Sequence, residues 1–326
     1  MKIAVDAMGG DNGSKVVIDA IKEYKKLFPN DEVIVFGKKE ELEELSSLCR
    51  VVDAPDVVPM EAGALEVFRM KNSSMCKALN MMKEEGFDAI ISAGSTGGFL
   101  SASTLILKTI PGVKRAALVT AFPTKIKGKK VVVLDVGANN ENSPEELVQF
   151  AYMGKAYNQA LFNTEEPKTY LLSNGAEAHK GSPLVREAHK LLAEDQNFQG
   201  FMGNLEARDA LNGDADILVS DGFSGNVLLK GMEGIAKMMS SMIKANFKKN
   251  LWTKLGYLHV RKGFKDMSET MDYKSVGGAM LVGINGVVIK AHGNSDAYSF
   301  SSAMKVARQM VEFDVVNKIK ESLANE

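Results

Sequence analysis

Cysteine is nearly absent from this 326-residue sequence. Cys49 and Cys76 stand far apart and in no CxxC pair, which excludes a disulfide scaffold and suits a reducing compartment. No apolar run approaches the ~18 residues a membrane span needs. The four histidines (His179, His189, His259 and His292) form no HExxH and have no paired cysteines beside them, so a zinc site has no support. GxGxxG is missing: AGSTGG and GGDNG have the wrong spacing, and no GKS or GKT follows to make a Walker A loop. Neither sign of charge dominates. With 40 basic and 41 acidic residues the net charge is -1, so nothing global points to nucleic acid. Linkers, repeats and low-complexity tracts are missing too.

What remains is ordinary for a soluble globular protein: 45% hydrophobic and 25% charged residues. Met1 runs directly into an apolar strand at Lys2–Asp6, leaving no room for a signal peptide, and the chain is expected to be soluble and intracellular. Further strands are predicted at Glu32–Phe36, Arg50–Asp53, Asp88–Ser92, Thr169–Leu172, Ile217–Val219 and Val287–Lys290. Ala116–Ala121 and Val131–Val136, joined by Lys127-Gly128-Lys129, read as an antiparallel hairpin. Helices are predicted from a Ser14 cap to about Phe28, over Lys38–Leu48, Glu61–Met70 and Ser73–Glu85, from the AGSTGG turn to Lys108, after Ser143-Pro144, after Pro183, from an Asn226 cap, and at the end of the chain. Alternation of strand and helix predicts an α/β fold with a doubly wound, mostly parallel sheet, built as one two-lobed unit over 1–326 with a helical insertion at about 234–272.

The strands end in small or polar loops: GGD at Gly9–Asp11, GSTGG at Gly94–Gly98, VGAN at Val136–Asn139, SNG at Ser173–Gly175 and DGFSGN at Asp221–Asn226. In a parallel sheet such loops share one rim, where ligands bind. Glycine lets backbone N–H groups approach a ligand, and each helix start adds about half a positive charge. The five loops together suit phosphate or another small anion; each alone is equally a tight turn. Asp6, Asp135 and Asp221 each close a strand, and either gather around a magnesium ion or satisfy turn amides. Lys180 stands beside the SNG loop and either holds anionic charge or is solvated. Cys49 and Cys76 lie on helical stretches away from these turns and read as structural.

From Gly234 to Lys265 there is no acidic residue, against eight basic ones: Lys237, Lys244, Lys248, Lys249, Lys254, Arg261, Lys262 and Lys265. Ile243, Phe247, Leu251 and Leu255 fall four apart, with Trp252 and Leu258 beside them. That is a basic amphipathic region suited to a membrane surface or an acidic partner, and a dimer-forming helical hairpin fits it as well.

DAMGGD at Asp6–Asp11, SAGSTGG at Ser92–Gly98, DVGAN at Asp135–Asn139, GNLEARD at Gly203–Asp209, DGFSGNVLLK at Asp221–Lys230 and GINGVVIKAHGNSD at Gly283–Asp296 together resemble the bacterial phosphate acyltransferases of phospholipid synthesis. Ser95 stands where those proteins usually carry Asn, and Gly98 where they usually carry Ala. The resemblance implies a fold related to isopropylmalate dehydrogenases and phosphotransacetylases. It also implies a reaction in which inorganic phosphate attacks the thioester of a long-chain acyl carrier protein. No organic cofactor is implied. A homodimer and peripheral attachment to the inner face of the cell membrane are.

Phosphate is already a nucleophile near neutral pH, and a thiolate leaves with a pKa near 8.5, so little acid–base machinery is required. One well-placed donor to the oxyanion is worth roughly 2.7–4 kcal/mol, against about 0.3–1 kcal/mol for an exposed helix dipole. Lys180 and Asn226 are therefore expected at the reacting centre. The substrate-binding set is Asp6, Gly9, Gly10, Ser95, Thr96, Gly97, Asn139, Asp221, Gly222, Ser224, Gly225 and His292. Lys244, Phe247, Lys248, Leu251, Trp252, Leu255, Leu258 and Arg261 are expected to dock membrane or carrier protein. A coenzyme A thioester as donor, or a membrane-recruited scaffold without catalysis, are the competing readings.

Overall fold

Short apolar runs followed by helices build the first half of the chain: β1 (Lys2–Asp6), α1 (Gly13–Leu27), β2 (Glu32–Gly37), β3 (Arg50–Asp53), α2 (Ala64–Arg69), α3 (Ser74–Glu85), β4 (Ala89–Ser92) and α4 (Thr96–Ile106). The second half contains β5 (Ala117–Pro123), β6 (Lys130–Leu134), α5 (Pro144–Phe162), β7 (Thr169–Ser173), α6 (Pro183–Glu194), β8 (Phe201–Glu206), β9 (Ile217–Val219), α7 (Gly222–Lys248), α8 (Leu251–Thr270), β10 (Gly278–Val282), β11 (Val287–Ala291), α9 (Ala297–Glu312) and α10 (Val315–Leu323). This is a computed structural model, and it describes residues 1–59, 61–270 and 277–324.

All strands join one 11-stranded sheet in the order β3-β2-β1-β4-β11-β10-β5-β6-β9-β7-β8. Alternate side chains of each strand face opposite layers. Ile3 and Val5 belong to the core layer that holds residues of α1, α5, α6, α9 and α10, whereas Ala4 and Ile34 belong to the layer that holds residues of α3 and α4. The fold is α/β and doubly wound, as predicted, and the β5–β6 hairpin is antiparallel, pairing Thr120 with Val133.

Three antiparallel pairings lie in the middle of the sheet: β11–β10, β10–β5 and β5–β6. An odd number of reversals turns β6, β9, β7 and β8 against β1, β2, β3, β4 and β11. The strand-end loops therefore fall in two sets, not on the single rim expected. Sequence could not reveal this, because the sense of a strand depends on which neighbour it pairs with.

Several local expectations are corrected. Lys38–Leu48 forms only a 3-10 turn at Glu43–Leu45: Leu42 and Leu45 are the two apolar anchors, both fully buried, and the rest of the stretch is charged or polar except for the exposed Leu48. The helix near Glu61 is shorter than predicted, Ala64–Arg69. Ser14 does not cap α1; it lies inside the helix and its hydroxyl donates to Glu41 at 2.7 Å. Asn226 does not cap α7, which starts at Gly222 with Asp221 as its cap. Two strands, β8 and β10, were not foreseen. The predicted start after Ser143 holds fully: its hydroxyl accepts from Glu146 N at 3.3 Å, the Glu146 carboxylate accepts from Ser143 N at 3.1 Å, and Pro144 opens the helix.

The insertion is a hairpin of α7 and α8, turned by reciprocal bonds between Asn250 and Thr253. Phe247 packs on Tyr257 and Phe264, with ring centroids 5.2 and 5.0 Å away. Trp252, Leu255 and Leu258 stay exposed, Trp252 at 82%. The Leu251 side chain and the predicted end at 271–272 lie outside the described residues. Among the described residues, no helix is long and apolar enough to cross a membrane.

Candidate active site

The first set of loops gathers at the ends of β1, β4 and β11. Gly9 presses on the loop after β4 so closely that an added Cβ would lie 2.5 Å from Gly94 Cα. Asp11 N donates to Gly293 O at 2.9 Å, and Asn12 Nδ2 donates to the carbonyls of Asn294 and Ser295. Beneath them Asp6 is buried, accepting from Ser74 Oγ and Ser92 Oγ, each at 2.6 Å. Burial pushes the Asp6 carboxyl up, against the pull of those hydroxyls.

The second set gathers at the ends of β6 and β9. Asp135 accepts from the amides of Leu118, Gly137, Ala138 and Asn139 and from Asn139 Nδ2, all within 3.0 Å. The start of α7 is seated on this turn. A Cβ at Gly222 would lie 2.1 Å from Asn139 O, and one at Gly225 would lie 1.9 Å from Asp135 O. Only glycine fits there. Asp221 caps the helix by accepting from Ser224 N at 2.8 Å. Asp6, Asp135 and Asp221 are thus each engaged with turn amides or hydroxyls.

Between the two sets runs a groove of about 410 Å³ across the face of β5 and β10. Its bed is apolar: Leu118, Phe122, Val136, Leu229 and Ala279. Its other end is polar, and three helix starts reach it, those of α1, α4 and α9. Asp11 precedes α1, Thr96 opens α4, Ser295 and Ser299 flank the start of α9, and Asn226 lies in the second turn of α7. Orphan N–H groups and converging dipoles favour an anion there. Lys230, Lys290, His292 and Glu233 also line it. Glu233 Oε1 lies 3.7 Å from His292 Nε2, and Lys230 Nζ lies 3.4 Å from Glu233 Oε2. His292, with Lys230, holds the Glu233 carboxyl below its ordinary range.

Residues 1–318 match the family model described as "Fatty acid synthesis protein". The chain belongs to that family. It is 42% identical over 330 residues to a phosphate acyltransferase of Exiguobacterium sp., covering 99% of each chain. It is 41% identical to one of Thermodesulfovibrio yellowstonii, covering 99% of this chain and 94% of that one. Among solved structures it resembles in fold a phosphotransacetylase from Streptococcus pyogenes (20% identity, 99% and 94% of the chains, TM-score 0.58). It also resembles a branched-chain phosphotransacylase from Enterococcus faecalis (16% identity, 95% and 99%, TM-score 0.61).

Of the residues singled out from sequence, Thr96, Asn226 and His292 line the groove of this family member. Asn226 packs against Gly137, whose Cβ would stand 3.1 Å from its Cγ. Gly9, Gly10, Gly222 and Gly225 act through close packing of the loops. Ser95 accepts from Gly98 N at 3.2 Å and caps α4, with Gly97 in the first turn. Asn139 is buried and bonded to Ala116 O and Asp135. Lys180 is exposed, in the loop after β7, with its amide bonded to Glu177 O. It does not border the groove. Sequence reasoning missed Lys290, Lys230, Glu233 and Thr120. Lys290 had a signal: a charge inside the apolar strand VVIKA.

Proposed function

We propose that the groove holds inorganic phosphate at its polar end and an acyl thioester along its apolar bed, so that the chain works as a phosphate acyltransferase. A phosphate oxygen attacks the thioester carbonyl carbon, the C–S bond breaks, and the thiolate leaves with the bonding electrons. The products are acyl phosphate and a free thiol. The observation that carries this reading is the meeting of three helix starts with an apolar bed in one groove. Anion and acyl chain both find their solvent there. Asn226, which lines the groove, is taken as the donor to the developing oxyanion, and Lys180, expected beside it but outside the groove lining, is left to the test of its alanine variant.

The donor is a long-chain acyl-(acyl-carrier-protein), and the product feeds phospholipid synthesis. Support comes from the hairpin: Lys237, Lys244, Lys248, Lys249, Lys254, Arg261 and Lys262 face no acidic residue on their own stretch, which complements an acidic carrier or an anionic bilayer. The same exposed face suits a homodimer and reversible attachment to the inner side of the cell membrane, with the enzyme otherwise cytoplasmic. Coenzyme A thioesters are the second reading, favoured by the fold shared with phosphotransacetylases. Hydroxylamine trapping of acyl phosphate from acyl carrier protein plus phosphate tests the function. A trapped acyl hydroxamate that requires phosphate is expected; none, with folded protein, overturns the reading. Coenzyme A thioesters outcompeting the carrier protein would transfer the assignment to the second.

A further inference from the structure

Lys290 is the fourth residue of β11, paired with Ser92 of β4 on one side and Ala279 of β10 on the other. Only 8% of it is exposed, and that part opens on the groove. Its ammonium donates to Ala93 O at 3.3 Å and to Ala291 O. A lysine has three N–H donors, so one remains uncommitted. Among the described residues no carboxylate comes within ion-pair distance; Asp6 and Asp11 act on it from further off, and Lys230 repels it. Burial pulls its pKa down to about 8.

Taking an ammonium out of water without a paired carboxylate is costly. Two carbonyl bonds do not require it, since a neutral amide side chain could donate to the same pair. What a neutral group cannot supply is charge at the point where the starts of α4 and α9 also converge. We infer that Lys290 is the cation that fixes the phosphate in this groove, an assignment resting on the groove's being the phosphate site. The dianion takes the free N–H, and its charge replaces the missing carboxylate.

Lys290→Gln keeps an N–H donor group on a side chain one bond shorter and removes the charge. Acyl phosphate formation by this variant is expected to show a phosphate KM raised about tenfold or more, with the acyl-donor KM little changed. Inorganic phosphate should raise the Tm of the wild-type protein and not that of the variant. A folded Lys290→Gln enzyme with the wild-type phosphate KM overturns the assignment and leaves the function intact. A wild-type protein that makes no acyl phosphate, yet is stabilised by phosphate through Lys290, overturns the function and leaves the assignment. A variant that fails to fold is replaced by the wild-type pH profile. Facing Asp6, Asp11, Lys230, Glu233 and His292, the ammonium loses its proton above about 8, and the phosphate KM should climb there. A KM flat across that pH overturns the assignment.

Discussion

Glu233 of α7 and His292 of the loop after β11 meet 3.7 Å apart, across the groove that separates the two oppositely running halves of the sheet. Their contact is the one ion pair that joins the two sets of strand-end loops among the described residues lining that groove. His292 is 43% exposed, so the pair adds little to stability. Glu233 lies on the helix that carries Asn226, and the pair stands at the groove end where the phosphate is proposed to bind. His292→Ala is expected to lower kcat/KM for phosphate in acyl phosphate formation about tenfold while leaving the Tm nearly unchanged. An unaltered kcat/KM would show that the groove does not depend on this clasp.

Asn226 and Lys180 separate two versions of the mechanism. Asn226→Asp places a carboxylate in a groove built for anions, and turnover should fall about 100-fold or more. Lys180→Ala removes an exposed side chain and should change stability by less than about 0.5 kcal/mol. If Lys180 acts on the thioester, its loss lowers turnover by a similar factor. Normal turnover by the folded Lys180→Ala enzyme removes it from the mechanism and leaves the groove residues to do the chemistry.

The elements were legible where the signal is local. Ser143, Pro144 and Glu146 announced α5, and apolar runs bounded by glycine announced most of the strands. What stayed hidden was set by pairing. β8 (FMGNLE) is an edge strand with half-buried positions and no clean alternation, and β10 (GAMLV) has one charge-free face on either side. The site was legible as a class of loop, glycine-lined and helix-starting, but not as a place. Lys290 looks like the polar end of a strand until β4 and β11 are laid side by side and Ala93 O comes within reach.

Gly222 tests how tightly α7 is seated. A methyl group there would stand 2.1 Å from Asn139 O and 2.5 Å from an Asp135 carboxylate oxygen, and neither backbone nor buried carboxylate can yield cheaply. Gly222→Ala should cost about 3 kcal/mol or more in denaturant unfolding. A cost under about 1 kcal/mol would mean that the turn and helix are not in contact.

Asp31 gives the chain an acid-sensitive tie. Its carboxylate accepts from Tyr24 Oη at 2.6 Å and from Arg308 Nη1 at 2.5 Å, and it meets the Met1 ammonium at 3.2 Å. Burial pushes its carboxyl up, but Arg308, Tyr24 and the chain terminus outweigh that and hold it below the ordinary 3.8. A depressed folded pKa means that the stabilisation is complete above 3.8 and is lost as pH falls through the folded value. Asp31→Asn should therefore cost about 2–3 kcal/mol near neutral pH, with the difference from wild type shrinking below pH 3.8. Equal losses at every pH would exclude the charge as the cause.

The hairpin makes the last prediction, and its two partners can be told apart. Lys244 and Lys248 are exposed on α7, and Trp252 is the most exposed large apolar side chain of the protein's described residues. Reversing both lysines to Glu moves four units of charge without touching the groove, so phosphate KM should hold. If an acidic carrier docks there, its KM should rise about tenfold and lose much of its salt dependence. If an anionic bilayer docks there, each lysine is worth about 1 kcal/mol near the surface, and the variant should no longer sediment with anionic phospholipid vesicles. Trp252→Ser should weaken vesicle binding at high salt, where the charge contribution is screened and burial of the indole remains. Unchanged carrier KM and unchanged sedimentation would leave a second copy of the chain as the occupant of that face, which sedimentation velocity of Trp252→Ser would then register as loss of the dimer.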